Sequence, residues 1–381
     1  MNNYFLPLGG ADEVGASSYF VNVDGVRMIF DAGARIHGME IYPDYHMLLQ
    51  YIDDYTDIDF IFLSHAHYDH IGSYHILGDL AKNAEIAATK ATKEFTKLQL
   101  MDFGRMITSE EKEVIKKAKY RQAEAAINRI KEVPVMKEMK REKCSFTFYP
   151  AGHMAGAAMI EVRTKNHVIF YSGDFSIRTM FGINQMRLGE TRPNLFLLNA
   201  TNAYQAQKRV KNGYEDLAEI VGNKLSQKKC VLLSSRSIAK HLDLFYFINQ
   251  RLEEISAAAG YEVPVYITKE SEKIGNALTD LGYRIYDGHI RSGKVLSEPH
   301  ILIGEETSLD GYETIVFDIY SLHASYQEIK LFIKNEEADV TYLLHTKPKF
   351  GEQNLAKELG QSKMFKGSVI QAHNEQIYEI L

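Results

Sequence analysis

Cysteine, long apolar runs and excess positive charge are what this chain has least of. Cys144 and Cys230 are its only cysteines in 381 residues, and neither belongs to a Cys-x-x-Cys pair. That is too few for a disulfide framework, so both read as buried thiols of a reducing compartment. No stretch approaches the roughly 20 apolar residues that span a bilayer. Met1-Asn2-Asn3-Tyr4 lacks the basic start and apolar core of a secretory signal. The expectation is a soluble, cytoplasmic protein. The formal net charge of −6 argues against broad non-specific binding to nucleic acid, which needs a basic footprint. It leaves room for a local anion site, because bound divalent ions add charge that the sequence count omits. No repeat or low-complexity linker interrupts the chain. Its composition, 45% hydrophobic and 25% charged, supports a substantial core in two domains, or in one domain with an insertion.

The apolar patterning predicts short strands over residues 4–8, 18–23, 26–31, 60–63, 144–149, 158–163, 167–171 and 194–198. Asp24-Gly25 and Lys165-Asn166 mark hairpins. Residues 109–132 predict a charged, solvated helix, with Thr108 and Glu111 as a capping box. Beyond residue 200 strand-like runs (230–233, 263–268, 300–303) alternate with helical ones (215–227, 238–257, 271–281), an α/β pattern that suggests a small parallel sheet. Strands return at 314–318 and 340–344. Ser234-Ser235-Arg236-Ser237 reads equally as a phosphate contact or as a loop that caps the next helix.

Ser64-His65-Ala66-His67-Tyr68-Asp69-His70 follows the apolar run Phe60-Ile61-Phe62-Leu63. Three imidazoles and a carboxylate so close together are costly to bury unless something compensates them. A divalent metal does so, nitrogen and oxygen donors suit zinc, and the crowding suggests two ions. A polar loop with chance histidines is the competing reading; it suits a lone histidine better than this spacing. His153 in Gly152-His153, Asp174 in Ser172-Gly173-Asp174, and His345 after the run 340–344 also lie just past strand ends. Strand ends converging at one sheet edge are where α/β folds build sites. His37, His46, His75, His167, His241, His289, His300 and His373 have no motif around them and receive no role.

His65-x-His67-x-Asp69-His70, Gly152-His153 and Gly173-Asp174 together resemble the metallo-β-lactamase fold, with Asp31 in Phe30-Asp31-Ala32-Gly33 as its first motif. Tyr320-Ser321-Leu322-His323-Ala324-Ser325 and Leu344-His345 resemble signature histidine segments of the β-CASP nucleases. Leu198-Asn199-Ala200-Thr201-Asn202-Ala203 and the opening 8–15 resemble ribonuclease J, in a short form without that family's C-terminal domain. The resemblance implies an αββα sandwich of α/β (α+β) class. Residues 1–199 and 319–381 would form the sandwich, and 200–318 an inserted α/β β-CASP domain.

It further implies two divalent ions, zinc with manganese as the alternative. His65, His67 and His153 would hold one ion, Asp69, His70 and His345 the other, and Asp174 would bridge. Asp31 would orient ligands rather than bond metal. The implied activity is hydrolysis of RNA phosphodiester bonds, exo- or endonucleolytic, by a hydroxide that the two metals activate. Asp69, Asp174 and His323 would be catalytic, with His323 as general acid and Asn199 orienting its imidazole. Ser321, Ala324 and Ser325 would contact substrate. The implied partners are single-stranded RNA and either a second copy or a paralogue, with no membrane. Histidine at 345 is linked by the resemblance to RNA-processing members. Two departures stand out: Asn199 replaces the family's acid, and Leu322 its glycine. The alternatives are a DNA nuclease, a hydrolase of small phosphodiesters or esters on the same fold, and a weakly active RNA-binding subunit.

Overall fold

The computed structural model describes residues 3–380 except 37, 39, 178–185, 187–190, 205–213, 236, 286–289, 292–297, 318–321, 349–353 and 361–366. The chain divides into two compact units: Met1–Arg178, Asn184–Gln207 and His323–Leu381 form the first, and Thr179–Ile183 with Lys208–Leu322 the second. The main insertion therefore starts at Lys208 rather than at 200, and the chain returns at His323 rather than at 319. The turn after Asn199 stays with the first unit because its side chains are bonded there. Asn202 Nδ2 donates to the Ala324 carbonyl at 2.8 Å, and the Tyr204 hydroxyl to Gln371 Oε1 at 2.9 Å.

In chain order the strands are β1 (Tyr4–Gly9), β2 (Ser18–Val23), β3 (Val26–Phe30), β4 (Phe60–Phe62), β5 (Glu85–Ala88), β6 (Ile130–Glu132), β7 (Met139–Lys140), β8 (Ser145–Pro150), β9 (Ala158–Arg163), β10 (Val168–Tyr171), β11 (Leu195–Asn199), β12 (Cys230–Ser234), β13 (Val265–Ile267), β14 (Ile290–Arg291), β15 (Ile301–Gly304), β16 (Tyr312–Val316), β17 (Val340–Leu344), β18 (Ser368–Gln371) and β19 (Tyr378–Glu379). The first unit holds two sheets, ordered β19-β1-β2-β3-β4-β5-β6 and β18-β17-β11-β10-β9-β8-β7. In each sheet, antiparallel pairs give way to parallel ones. The change comes at β3–β4 in the first and at β10–β11 in the second. The β2–β3 hairpin turns at Asp24 (φ 52°) and Gly25 (φ 76°), the two positive φ angles that a tight twisted hairpin needs.

The period-two pattern of β4 explains the layering. Phe60 and Phe62 belong to the cluster between the sheets, and Ile61 to the one on the outer face. The Phe62 ring lies 5.1 Å from Phe146 of the facing sheet and 5.5 Å from Phe30 beside it. On the outer face of the first sheet, helices α1 (Tyr68–Ile71), α2 (Tyr74–Leu80), α3 (Lys90–Lys97) and α4 (Glu113–Asn128) follow. Tyr74, Leu77, Ala123, Ala126 and Ile127 cover Ile29, Ile61 and Ile86 there. The second sheet's outer face meets Phe332, whose ring lies 5.2 Å from Phe196. The result is the αββα sandwich.

The capping box expected at Thr108 and Glu111 does not start α4. The helix begins at Glu113, and its N-cap Lys112 makes no side-chain cap bond. Glu111 pairs with Lys119 at 2.6 Å and keeps its bonds to Thr108, but these close a turn that ends before the helix begins. In the second unit α5 (Tyr214–Ser226), α6 (Ile238–Ala259) and α7 (Lys269–Asp280) accompany a sheet ordered β14-β13-β15-β12-β16, with every pair parallel. The loop after β12 keeps its serines busy: Ser234 Oγ donates to the Glu306 carbonyl and Ser235 Oγ to that of Ser237. Arg236 lies outside the described residues. No helix among the described residues is long and apolar enough to cross a membrane.

Phe62 ties the two sheets together directly beneath the histidine segment. Phe62→Ala should lower unfolding stability by about 3–5 kcal/mol, the usual cost of emptying an aromatic core position. Denaturant titration of wild type and variant measures it; a difference below about 1 kcal/mol would mean that the inter-sheet core does not depend on this ring.

Candidate metal centre

The site is assembled from strand ends. After β4 the chain passes through Ser64 and His65 and turns into α1, with His67 as its N-cap (φ −69°, ψ 147°) and Asp69 and His70 inside it. This abrupt strand-to-helix change divides four neighbouring ligands between two groups. After β3, Asp31 takes a left-handed backbone (φ 61°), a strained conformation for a residue with a side chain. The next residues are bonded to α1 and to the loop before β2: Ala32 N–H donates to the His70 carbonyl at 2.8 Å, and Gly33 N–H to the Ser17 carbonyl at 2.8 Å. A Cβ on Gly33 would sit 1.8 Å from the Asp69 carbonyl oxygen, so only glycine fits there.

The facing sheet supplies the remaining ligands. His153 follows β8, Asp174 follows β10, and His345 follows β17 with φ 52°. The opening loop seats His345: its N–H donates to the Gly10 carbonyl at 2.7 Å, and its Nδ1 lies 2.9 Å from Ser17 Oγ.

Among the described residues three sets of donor atoms come together; two of them form the centre, His65 with His67, His153 and Asp174, and Asp69 with His70 and His345, while the third, Asp31 with His65 and His70, lies behind them. His67 Nδ1 lies 3.1 Å from His65 Nε2 and 3.0 Å from His153 Nε2. Nitrogens about 2.0–2.1 Å from a tetrahedral zinc lie about 3.3 Å apart, close to these separations. Asp174 Oδ2 lies 3.5 Å from His70 Nε2, 3.7 Å from His65 Nε2, 3.8 Å from His153 Nε2 and 4.0 Å from His345 Nε2. His345 Nε2 is also 3.5 Å from Asp69 Oδ2. His70 Nε2, His345 Nε2 and Asp174 Oδ2 are buried with no hydrogen-bond partner. Buried polar atoms without partners are costly, and a divalent ion at each group would satisfy them.

The opposite ring nitrogens are held in place. His70 Nδ1 lies 2.7 Å from Asp31 Oδ2, and His65 Nδ1 3.0 Å from Ser64 Oγ. Such outer hydrogen bonds fix the tautomer and aim the other nitrogen at a metal. Asp31 also accepts from Ser64 N–H, the Ser64 hydroxyl and the Tyr171 hydroxyl, at 2.7, 2.7 and 2.6 Å. Burial pushes the His67 imidazole down to about 4. Burial, with His70 and His153 nearby, holds His65 well below the usual value, and burial also lowers His345. Burial alone would push His70 down, yet Asp174, Asp31 and Asp69 hold it well above the usual imidazole value. Burial opposes ionisation of Asp174 and Asp69, but the surrounding imidazoles keep both carboxyls below their ordinary range.

His323 joins the centre without entering either donor group. Its Nδ1 lies 3.5 Å from Asp174 Oδ2 and 3.4 Å from Thr201 Oγ1, and its side chain is 31% exposed. Asn199 is placed differently from the expectation that it orients His323. Its side-chain Nδ2 donates to Asp174 Oδ1 at 3.0 Å and reaches the Tyr171 hydroxyl at 3.4 Å. Two expected substrate contacts are committed within the chain. Ala324 N–H donates to the Phe175 carbonyl at 3.0 Å, and Ser325 caps the helix α8 (Tyr326–Glu336) in a capping box with Glu328. The third, Ser321, lies outside the described residues, and Leu322 is buried.

Sequence reading missed Ser17, Ser64, Tyr171 and Gln99. Gln99 stands in a π-helical turn (Leu98–Asp102) and donates to the Ala66 carbonyl at 2.6 Å, between His65 and His67. Position past a strand end could have flagged Ser64; nothing local marks Ser17 or Gln99. Of the histidines without motifs, His167 lies against Asp24, His241 against Glu305, His300 against Tyr312 and His373 against Asp12, while His37 and His289 fall outside the described residues.

Two measurements follow. The purified protein should hold about two divalent ions per chain by elemental analysis, one fewer after His153→Ala and one fewer after His345→Ala; a metal-free wild type with unchanged stability would exclude the site. After chelation, stability should fall as pH drops from about 6.5 to about 4. In that window the unfolded chain protonates His67 while the folded chain does not, so acid favours unfolding. Thermal midpoints across that range, compared with those of His67→Gln, check the effect; parallel profiles would contradict it.

Comparison with known proteins agrees with this geometry. Residues 20–188 match the metallo-beta-lactamase superfamily domain. Endoribonuclease YSH1 of Yarrowia lipolytica is 28% identical over 202 residues, 52% of this chain and 24% of that protein. Cleavage and polyadenylation specificity factor 73 of Drosophila melanogaster is 22% identical over 318 residues, 81% of this chain and 45% of that protein. Integrator complex subunit 11 of Danio rerio is 22% identical over 294 residues, 70% of this chain and 47% of that protein. The chain thus spans less than half the length of each of these relatives. A protein of unknown function from Enterococcus faecalis V583, 14% identical, has a crystal structure that aligns over 100% of both chains with a TM-score of 0.64, which shows the shared fold. Over residues 20–188 the chain is thus similar to the metallo-beta-lactamase superfamily domain, and over a longer stretch to the RNA-processing relatives named above.

Proposed function

We propose that this protein is a metal-dependent ribonuclease that hydrolyses phosphodiester bonds in single-stranded RNA, with His323 donating the proton to the leaving oxygen. The observation that carries the proposal is His323 itself: a partly exposed imidazole against Asp174 Oδ2, beside both donor groups but in neither. The relatives bearing the name endoribonuclease, and His345 in the second donor group, support RNA as substrate.

Divalent metal at these residues supplies an activated water and neutralises charge on the phosphate. The chain's own residues do the rest. Asp31, Ser64 and Ser17 hold the ring orientations of His70, His65 and His345. Asp174, ionised at neutral pH and buried, brings negative charge to the midpoint of the two groups. It also faces His323 Nδ1 at 3.5 Å. Thr201 flanks the same nitrogen. Asp69, the more exposed carboxylate of the second group, stays ionised beside His70 and His345. Zinc is the proposed metal on its nitrogen-rich donor set, with manganese the alternative. A complete set of donors speaks against an inactive subunit, which would have no use for two intact groups.

The test is cleavage of labelled single-stranded RNA and of DNA with the same sequence, at saturating metal. RNA should be cut in preference. His323→Ala should slow cleavage by about 10² to 10⁴-fold, the usual contribution of a general acid, while metal content stays near that of wild type. Equal cleavage of both polymers would reject the substrate assignment. Loss of metal in His323→Ala would make that residue a ligand instead.

A further inference from the structure

We infer that Asn199 is a positioning residue for Asp174: its amide occupies one carboxylate oxygen and so leaves the other facing ring nitrogens of both donor groups. This rests on the metal-site reading and is independent of the RNA substrate.

The two oxygens of Asp174 have different surroundings. Oδ1 accepts from Asn199 Nδ2 at 3.0 Å. Oδ2 is buried, has no hydrogen-bond partner, and lies within 4.0 Å of a ring nitrogen of His65, His70, His153, His323 and His345. His65 and His153 belong to one donor group and His70 and His345 to the other, so Oδ2 lies between the groups. A carboxylate is symmetric and could present either oxygen or both. The bond from Asn199 removes that freedom.

The orientation of the amide is dictated by its neighbours. The Tyr171 hydroxyl, 3.4 Å away, already gives its proton to Asp31 at 2.6 Å, so it faces Asn199 as an acceptor. Asp174 Oδ1 is an acceptor as well. Two acceptors demand the NH₂ end of the amide rather than its oxygen. An ionised acid at 199 could satisfy neither, and Asn199 therefore does work that the family's acid cannot do in this arrangement. The backbone holds the residue rigidly. Asn199 ends β11, between the strands that lead to Asp174 and His345. It pairs in register with Leu344, and its N–H donates to Ser172 Oγ at 2.9 Å.

Zinc affinity by chelator competition, and the absorption spectrum of the cobalt-loaded protein, test the assignment in the full chain. Asn199→Leu keeps nearly the same volume without a donor, and Asn199→Ala is the smaller change should leucine not fold. Either should weaken zinc binding by about 10 to 100-fold, the usual effect of removing a partner that orients a ligand. The cobalt spectrum should change, while circular dichroism and the metal-free thermal midpoint stay close to wild type. A folded variant with wild-type zinc affinity and an unchanged cobalt spectrum would overturn the inference, whatever happens to RNA cleavage. A loss confined to turnover would likewise overturn it and place Asn199 on His323 instead.

Discussion

The buried carboxylate of Asp31 is the constraint on which the centre depends. It receives hydrogen bonds from Ser64 N–H and Oγ, from the Tyr171 hydroxyl and from His70 Nδ1. Those donors come from two sheets and from α1, so one side chain fixes the distance between the sheets at the edge where the ligands emerge. The left-handed backbone at Asp31 is the cost of pointing its carboxylate that way. A polar group in a fully buried position is stable only when hydrogen-bonded, and that requirement makes the arrangement rigid.

From Asp31 the order spreads outward. His70 is oriented directly, His65 through Ser64, and Asp174 through Tyr171 and Asn199. His345 is held by a separate device, the Gly10 carbonyl and the Ser17 hydroxyl, and it too takes a left-handed backbone. Strain is thus stored at two of the positions that aim ligands, and the aromatic core under β4 holds it in place. His65, His67 and His345 are kept neutral and so ready to bind metal, and Asp69 and Asp174 are kept ionised; the surrounding carboxylates instead hold a proton on His70, which a bound ion would displace.

Much of this was legible in residue order. The alternation in Phe60-Ile61-Phe62 marks a strand with one face toward each core, and the histidine spacing after it marks a metal site. The parallel sheet beyond residue 200 shows in its alternating strands and helices. Short elements escaped, among them β14 and β19, because two residues carry no periodicity. The start of α4 was misread because the Thr108–Glu111 pattern is only a local preference: it closes a turn, and the helix begins at Glu113. Ser325, expected to contact substrate, also caps α8 with Glu328, a role its position three residues before an acid would have marked.

By itself the sequence determined the chemical inventory: which donors exist, that they follow strand ends, and that their spacing resembles a two-metal site. Those properties are local, set by side-chain type and by the period of a strand. Only the tertiary structure decided which donors share a group, which ring nitrogen faces inward, and that the Asn199 amide bonds Asp174. Each of these depends on atoms far apart in the chain, such as Ser17 with His345 or Gln99 with Ala66. Hydrogen bonds are short and directional, so such partnerships exist only once packing has fixed the strands that carry them.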